Sequence, residues 1–529
     1  MKNLYLLTIS IFAFISASAQ LDFDIELEEV TIDNLYGVQS YAVGSYNGEW
    51  FILGGRTDGL HQRQPFAAFA AAENHTNVLR VNPSNNSFSQ ASILSLPLPL
   101  KEQLQSTNLS FRQVNDLLYI IGGYGYSTTA ADHKTYPVLT VVNLADLASK
   151  MDNNQDISSA FSFVESPTMA VTGGHLGFLN DTFYLIGGQE FNGSYNPMGP
   201  THGPGFFQQY TEEIRKFQVA NPTTNPTLVN YHAIKDSDYL HRRDYNVAPQ
   251  IFPDGSMGFT AFSGVFKKTV DLPWEDGVDI REQGYQHRAD MVQKLSQYHS
   301  AKLPIYDPAE EKMYTMFFGG IAQYFYANGS LTSDPNVPFV KTISYIERDK
   351  NDSLKEYSLI KEIPGYLGAG AKFIPVEATF FDNQEILHLD KVSDSKTLVG
   401  YIFGGIESTG PNIFFSNTGT QSGATSKIFA VYVNKGGATS VRSVPPSLAI
   451  ELETGLEIEE NVLRVNVKGV KEEKFDLEIF NMRGKLVYKK PVKTRDLPYD
   501  VPLDEISCKM GIVRAQGKDF AVSTKIIFR

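Results

Sequence analysis

The chain has 529 residues, with 59 acidic against 46 basic side chains for a net charge of -13, 42 glycines, 26 prolines and a single cysteine. That acidic balance argues against nucleic acid and anionic membranes as partners, since both attract basic patches. With 20% charged and 12% aromatic residues the chain reads as turn-rich and globular rather than disordered, and with Cys508 alone its core must hold by packing and not by disulfides.

From the N-terminus, Lys2, an apolar stretch from Leu4 to Ile15 and Ala17-Ser18-Ala19 before Gln20 read as a secretory signal over residues 1–19. The apolar run is short for a span, and no later stretch approaches the roughly 20 apolar residues that crossing a bilayer needs. An exported chain starting at Gln20, secreted or held at the outer-membrane cell surface, is expected. From Leu21 to Val30, Phe23, Ile25 and Leu27 alternate with Asp22, Asp24 and Glu26, which predicts a strand with one buried face.

A short apolar run ending in two glycines then recurs: Phe51 to Gly55, Leu117 to Gly123, Phe183 to Gly188, Thr315 to Gly320 and Tyr401 to Gly405, with a degraded copy at Phe259 to Gly264. Each run has the length and the aromatic or β-branched content of a buried strand, and the glycines permit a turn where a Cβ would clash. Six copies predict six units. Each unit reads as a first strand, a tight Asn, Asp, Gly or Pro turn, the Gly-Gly strand, a long loop and a third strand. Third strands fall at Val78 to Val81, Val138 to Val142, Ile214 to Val219, Lys341 to Ile346 and Lys427 to Val433. The outer strands of the fourth unit, between Lys267 and Gln297, are not legible. The second glycines, at 55, 123, 188, 264, 320 and 405, lie 56 to 85 residues apart, against about 50 for a compact propeller repeat, so the loops are enlarged.

Residues 20–434 thus resemble a kelch-type, galactose-oxidase-like propeller. The expected fold is all-β, a six-bladed β-propeller closed by its N-terminal strand, with Leu21 to Val30 supplying the edge that the sixth unit lacks after Val433. The Tyr and Trp pair usual later in each kelch repeat is missing, since the chain has only Trp50 and Trp274. The oxidase branch needs a copper site with a tyrosine cross-linked to cysteine, and no cysteine precedes Cys508. No cofactor and no metal site is expected, and catalysis has no specific motif to support it.

Residues 435–447, rich in Gly, Ser and Pro, read as a linker. Beyond them, residues 448–529 alternate in short runs, Val462 to Gly469, Phe475 to Lys490, Gly511 to Ala515 and Ala521 to Phe528, with a hairpin turn at Met482 to Gly484, which outlines a small β-sandwich. With Asn481, Gly484, Lys485, Leu486 and Val487, then Gly511 and Ile512, then a basic last strand from Lys525 to Arg529, this tail resembles the C-terminal sorting domain of type IX secretion cargo. Val513 stands where that family has a Tyr. The resemblance implies recognition by the type IX machinery and passage across the outer membrane, with the tail often cleaved or linked to a surface lipopolysaccharide.

Function then falls to the propeller. Long loops rich in Gly, Asn, Ser, Phe and Tyr follow most of the Gly-Gly strands, on one face, and suit a glycan or protein ligand. Positions after the Gly pairs and at the starts of first strands select Arg56, Tyr124, His175, Gln189, Glu190, Arg242, Arg243, Tyr245, His299 and Glu377 as candidate ligand-binding residues. Arg242 or Arg243 fits a carboxylate clamp, with pairing to a neighbouring acid such as Asp244 the plainer role. Two alternatives to a binding propeller are a mutarotase of the sialic-acid type, with Arg242 and either Glu377 or His299, and an adhesion or scaffold protein of a surface complex.

Overall fold

The computed structural model describes residues 20–528 apart from 63, 197–202, 204, 328, 377–378, 447–450, 458–459, 471–472 and 519–520. The expected signal segment and Glu377 lie outside the described residues. The fold is all-β, and its two α-helices among those residues, Leu98–Gln103 and Leu144–Asp152, sit in connections. No helix among the described residues is long and apolar enough to cross a membrane.

Each Gly-Gly run forms the second strand of four adjacent antiparallel strands, which stand alone as a sheet in every case but the fifth, where they belong to a seven-stranded sheet. Sheet I comprises Ala42–Tyr46, Glu49–Leu53, Asn77–Asn82 and Ser87–Ser92. Sheet II takes Ser110–Val114, Leu117–Ile121, Val138–Asn143 and Phe161–Glu165, and sheet III His175–Leu179, Thr182–Ile186, Glu213–Ala220 and Thr227–Lys235. Sheet IV, the one left unparsed by sequence, is completed by Gly277–Arg281 and Gly284–Arg288 beside Asn246–Ile251 and Met257–Phe262. Sheet V is built on Ala301–Asp307, Lys312–Phe318, Thr342–Arg348 and Leu354–Glu362. Sheet VI holds Lys372–Pro375, Thr397–Phe403, Ile428–Asn434 and, as its fourth strand, Asp24–Val30, paired antiparallel along all of Ile428–Asn434.

The N-terminal strand is divided between two sheets. Gln20–Leu21 pairs instead with Thr439–Ser443, which itself pairs with Leu354–Glu362 of sheet V. This corrects the reading of residues 435–447 as a linker. The Thr-Ser-Val-Arg-Ser stretch alternates, Thr439 and Val441 are buried, and the edge of sheet V offers them hydrogen bonds that composition does not reveal.

The structure explains why glycines recur in pairs. Each first glycine lies against the chain that leads into the next sheet: a Cβ on Gly122 would sit 1.8 Å from the Val171 carbonyl oxygen, at a φ of +67° that favours glycine. Each second glycine then donates its N–H across the same seam: Gly55 to Ser106, Gly123 to Val171, Gly188 to Arg242, Gly320 to Leu367 and Gly405 to Val38. Hydrophobic clusters repeat the pattern. Phe51 and Leu53 pack with Leu118 and Ile120, and Ile121 and Leu139 with Leu185 and Phe217. Tyr184 and Ile186 meet Val247 and Phe259 between sheets III and IV, and Met316 and Phe318 meet Val431 and Val433 between V and VI. Ile374, Tyr401 and Phe403 of sheet VI pack with Trp50 and Ile52 of sheet I. The IV–V seam differs. Its apolar cluster is small, and it is joined by Arg348, which donates to Asp279 Oδ1 at 2.7 Å, while Arg288 donates to Asp279 Oδ2 at 2.8 Å.

Residues 451–528 form two further sheets, one of Glu451–Glu457, Val462–Lys468 and Tyr499–Pro502 and one of Lys474–Asn481, Leu486–Lys493, Met510–Gln516 and Ala521–Ile527. They share one core that includes Leu463, Val465, Leu477, Ile479, Val513 and Phe528. The hairpin turn falls where expected, with Gly484 at a φ of +73° and Asn481 Oδ1 accepting from the Arg483 and Lys485 amides.

Candidate functional site

Three tiers of backbone, repeated once per sheet, position the side chains. In the upper tier, the residue following each Gly pair bridges to one just before the next first strand of its own unit: Arg56 to Gln39, Tyr124 to Thr107, Gln189 to Thr172, Val265 to Arg243 and Ile321 to Tyr298, with Ile406 paired to Ala369. In the middle tier lie Ser40, Asn108, Gly173, Asp244, His299 and Gly370, all left-handed, with φ between +47° and +76°. Their amides run from unit to unit: Gly370 donates to His299, Ser40 to Gly370, Asn108 to Ser40, Gly173 to Asn108 and Asp244 to Gly173, at 2.7–3.1 Å. The lower tier is the first strands themselves.

Two cavities follow from these tiers. The loop-side cavity, about 710 Å³, is walled by the upper-tier pairs and roofed by aromatic side chains of the long loops, among them Phe69, Tyr195, Phe266, Phe414 and Phe415. His61 packs within this roof, its ring centroid 4.5 Å from that of Tyr195 and 5.5 Å from that of Phe69, and burial lowers its pKa to about 4. Met482, Met510 and Lys525 of the C-terminal unit also line this cavity. The turn-side cavity, about 910 Å³, is lined by the first strands of all six sheets. Asn108, Asp244 and His299 line both.

The sequence-selected residues divide among these places. Arg56, Tyr124, Gln189 and Arg243 line the loop-side cavity, His175 and Tyr245 the turn-side one, and His299 both. Arg242 and Glu190 line neither. Arg242 is buried, donates to the Ser263 and Asp276 carbonyls at 2.6 and 3.0 Å, ion-pairs with Asp276 and lies over the Trp274 ring, so its charge serves the packing of sheet IV. Glu190 accepts from Asn192 Nδ2 at 2.8 Å. The Tyr245 hydroxyl donates to the Ile186 carbonyl at 2.5 Å and crosses the III–IV seam.

The two arginines on the loop side are already matched. Arg56 grips Asp58 with two hydrogen bonds, of 2.7 and 2.8 Å, and donates to Asn74 Oδ1 at 2.9 Å. Arg243 donates to Asp244 Oδ2 at 2.5 Å and to the Tyr210 hydroxyl at 3.0 Å. What remains open is acceptor capacity: Oδ1 of Asn108 and Oδ1 of Asp244 are buried and have no hydrogen-bond partner. Sequence reasoning missed both residues, although an Asn or Asp in a left-handed position ahead of a strand is the available signal. It also missed Lys302 and Lys372, which line the turn-side cavity. Among the described residues no group of three His, Cys, Asp or Glu is placed to hold a metal ion.

The chain matches no family model and no curated protein. Among solved structures it is similar to one described as "Structure of YjhT", at 11% identity and a TM-score of 0.40, over 77% of this chain and 99% of that one.

Proposed function

We propose that the six sheets are the blades of a six-bladed, kelch-like propeller closed by its own N-terminal strand, and that the loop-side cavity binds a neutral glycan outside the cell. Support for the ring comes from the VI–I packing and from the relay of amide bonds through one left-handed residue per sheet. The glycan reading rests on one observation above the others: Asn108 and Asp244, each with a buried Oδ1 that has no donor, line a cavity whose roof is aromatic, as they line the turn-side one. An unpartnered buried acceptor costs on the order of 1–3 kcal/mol, and sugar hydroxyls supply the missing donors while ring faces stack on the aromatics.

A neutral ligand is favoured over an acidic one because Arg56 and Arg243 already hold carboxylates, and the free Oδ1 of Asp244 repels a further one. The mutarotase alternative relies on Arg242, which is committed to Asp276 and lines neither cavity. In this proposal the C-terminal unit is the sorting domain that delivers the protein through type IX secretion, after an N-terminal signal at residues 1–19.

The test is a glycan array probed with the full mature chain and with Tyr195→Ala. Saturable binding of neutral glycans that drops in the variant is the expected result. Binding confined to acidic sugars, or to none, overturns the assignment and favours a protein ligand. Export is tested separately, by whether a chain lacking residues 448–529 accumulates inside a cell that possesses the secretion machinery.

A further inference from the structure

The chain is acidic overall, yet its turn-side cavity gathers basic side chains from four sheets. Lys372 opens the first strand of sheet VI, Lys302 is the second residue of that of sheet V, His175 opens that of sheet III, and Arg112 lies in that of sheet II. All four line the one cavity. Arg112 is ion-paired, donating to Glu385 Oε2 at 2.8 Å and to the Asn383 carbonyl at 3.0 Å, although its buried Nε has no hydrogen-bond partner.

The two lysines are not. No ion pair or side-chain hydrogen bond joins either ammonium to another described residue, and the Lys372 ammonium lies over the Phe111 ring, 5.9 Å from its centroid. Four acidic groups share these walls and none is bonded to either lysine; Asp244 and Glu385 act on Lys372 and Lys302 through space only, partly offsetting the effect of burial. Asp244 holds Arg243, Glu385 holds Arg112, and Asp116 and Asp181 sit in the turns between first and second strands. Burial lowers the pKa of Lys302 to about 8 and that of Lys372 to about 7, the latter helped by repulsion from Lys302. His175 and His299 are held well below their usual range by burial first and then by these lysines.

A fold gains nothing from two half-buried ammonium groups left without partners, since partial desolvation and mutual repulsion both act against it. A ligand of opposite charge reverses both terms. We propose that the turn-side cavity is a binding site for a small anion carrying a carboxylate or phosphate group, held between Lys302 and Lys372 with His175 and the Asn108 amide on the surrounding wall. The cavity volume, about 910 Å³, admits an organic acid or a phosphorylated metabolite. Lys302 and Lys372 line this cavity and not the loop-side one, so this site stands whether or not glycan binds above it.

The experiment is isothermal titration of the full mature chain at pH 7 with inorganic phosphate and, in a second arm, with citrate, at constant ionic strength against chloride. Saturable heat with either anion is expected, and the arm that binds more tightly names the group recognised. Lys302→Met and Lys372→Met should each weaken that binding at least tenfold, whereas Lys372→Arg, which keeps the charge, should retain it within a few-fold. Thermal melts of the same variants report folding, and phosphorus NMR line broadening of phosphate by the wild-type chain reads binding without any variant. Absence of saturable binding by both anions overturns the proposal, as does binding that survives both methionine substitutions undiminished.

Discussion

The two cavities share Asn108, Asp244 and His299, yet they treat charge in opposite ways. On the loop side the cations are neutralised before any ligand arrives: Arg56 faces Asp58 and Arg243 faces Asp244, leaving a largely aromatic surface. On the turn side Lys302 and Lys372 are left without an ion pair. One backbone scheme therefore presents a neutral, aromatic surface at one end and an anion-seeking one at the other. The difference comes from which tier a side chain occupies. Residues after the Gly pairs reach into loops long enough to bring their own counter-charges, whereas Lys302 and Lys372 in the first strands meet no carboxylate within bonding distance.

The comparison breaks most readily at the aromatic roof. Tyr195→Ala with Phe414→Ala should weaken neutral-glycan binding by roughly 2–3 kcal/mol, of the order of a hundredfold, since buried aromatic anchors carry about 1–2 kcal/mol each. Anion binding on the turn side should be unchanged, and a parallel loss there, in calorimetry of the same variant, would merge the two cavities into one site.

Asp244 is the residue through which the ends communicate. Asp244→Asn keeps a side chain that tolerates the left-handed backbone but removes the counter-charge of Arg243. A loss of about 2 kcal/mol of stability is expected, as for a hydrogen-bonded charge left partly unpaired, measured by denaturant unfolding. The same change removes a negative group near Lys372, so anion affinity should rise. Were it to fall, Asp244 would be orienting the ligand instead of opposing it.

The lysine pair also sets a dependence on pH. An unfolded lysine keeps its proton to near 10.4, whereas the folded ones lose theirs at about 8 and about 7. Between pH 7 and 10 the unfolded chain therefore binds more protons, and these two groups make the native state more stable as pH rises. Glu356, buried and raised to about 8, acts with the opposite sign between pH 4.5 and 8, but it is common to wild type and variant and cancels in their difference. Lys302→Met/Lys372→Met should thus melt above the wild type at pH 6, with the gap closing towards pH 10. A gap that widens instead would mean that the lysines are favourably paired.

Much of this architecture is legible in the sequence because glycine has a steric signature. The Gly pairs mark second strands, third strands follow from their alternation, and the pairing of Asp24–Val30 with the sixth sheet follows from the strand which that sheet lacks. Half of the loop-side wall was legible for the same reason, since Arg56, Tyr124 and Gln189 each follow such a pair. Lys302 and Lys372 were not. In Ala-Lys-Leu-Pro-Ile a lysine between apolar residues reads as the solvent face of an ordinary strand, and only the convergence of six first strands turns that face inward. Thr439–Ser443 escaped because its partner strand is some 80 residues away in the chain.

The smallest effect concerns the C-terminal unit, which touches one cavity only. Lys525 reaches Asp271 at 3.4 Å, and Ser523 donates to the Ser333 carbonyl at 3.4 Å, while Met482 and Met510 border the same opening. Asp271 is 70% exposed, and an ion pair of that kind contributes at most about 1 kcal/mol. Lys525→Ala should accordingly change glycan affinity by no more than about fivefold and leave anion binding untouched. The direction of the glycan effect is informative. Tighter or faster binding in surface plasmon resonance identifies the unit as a partial cover of the loop-side cavity; weaker binding identifies it as part of the wall, and a chain lacking it would lose ligand contacts while its turn-side cavity stayed as before.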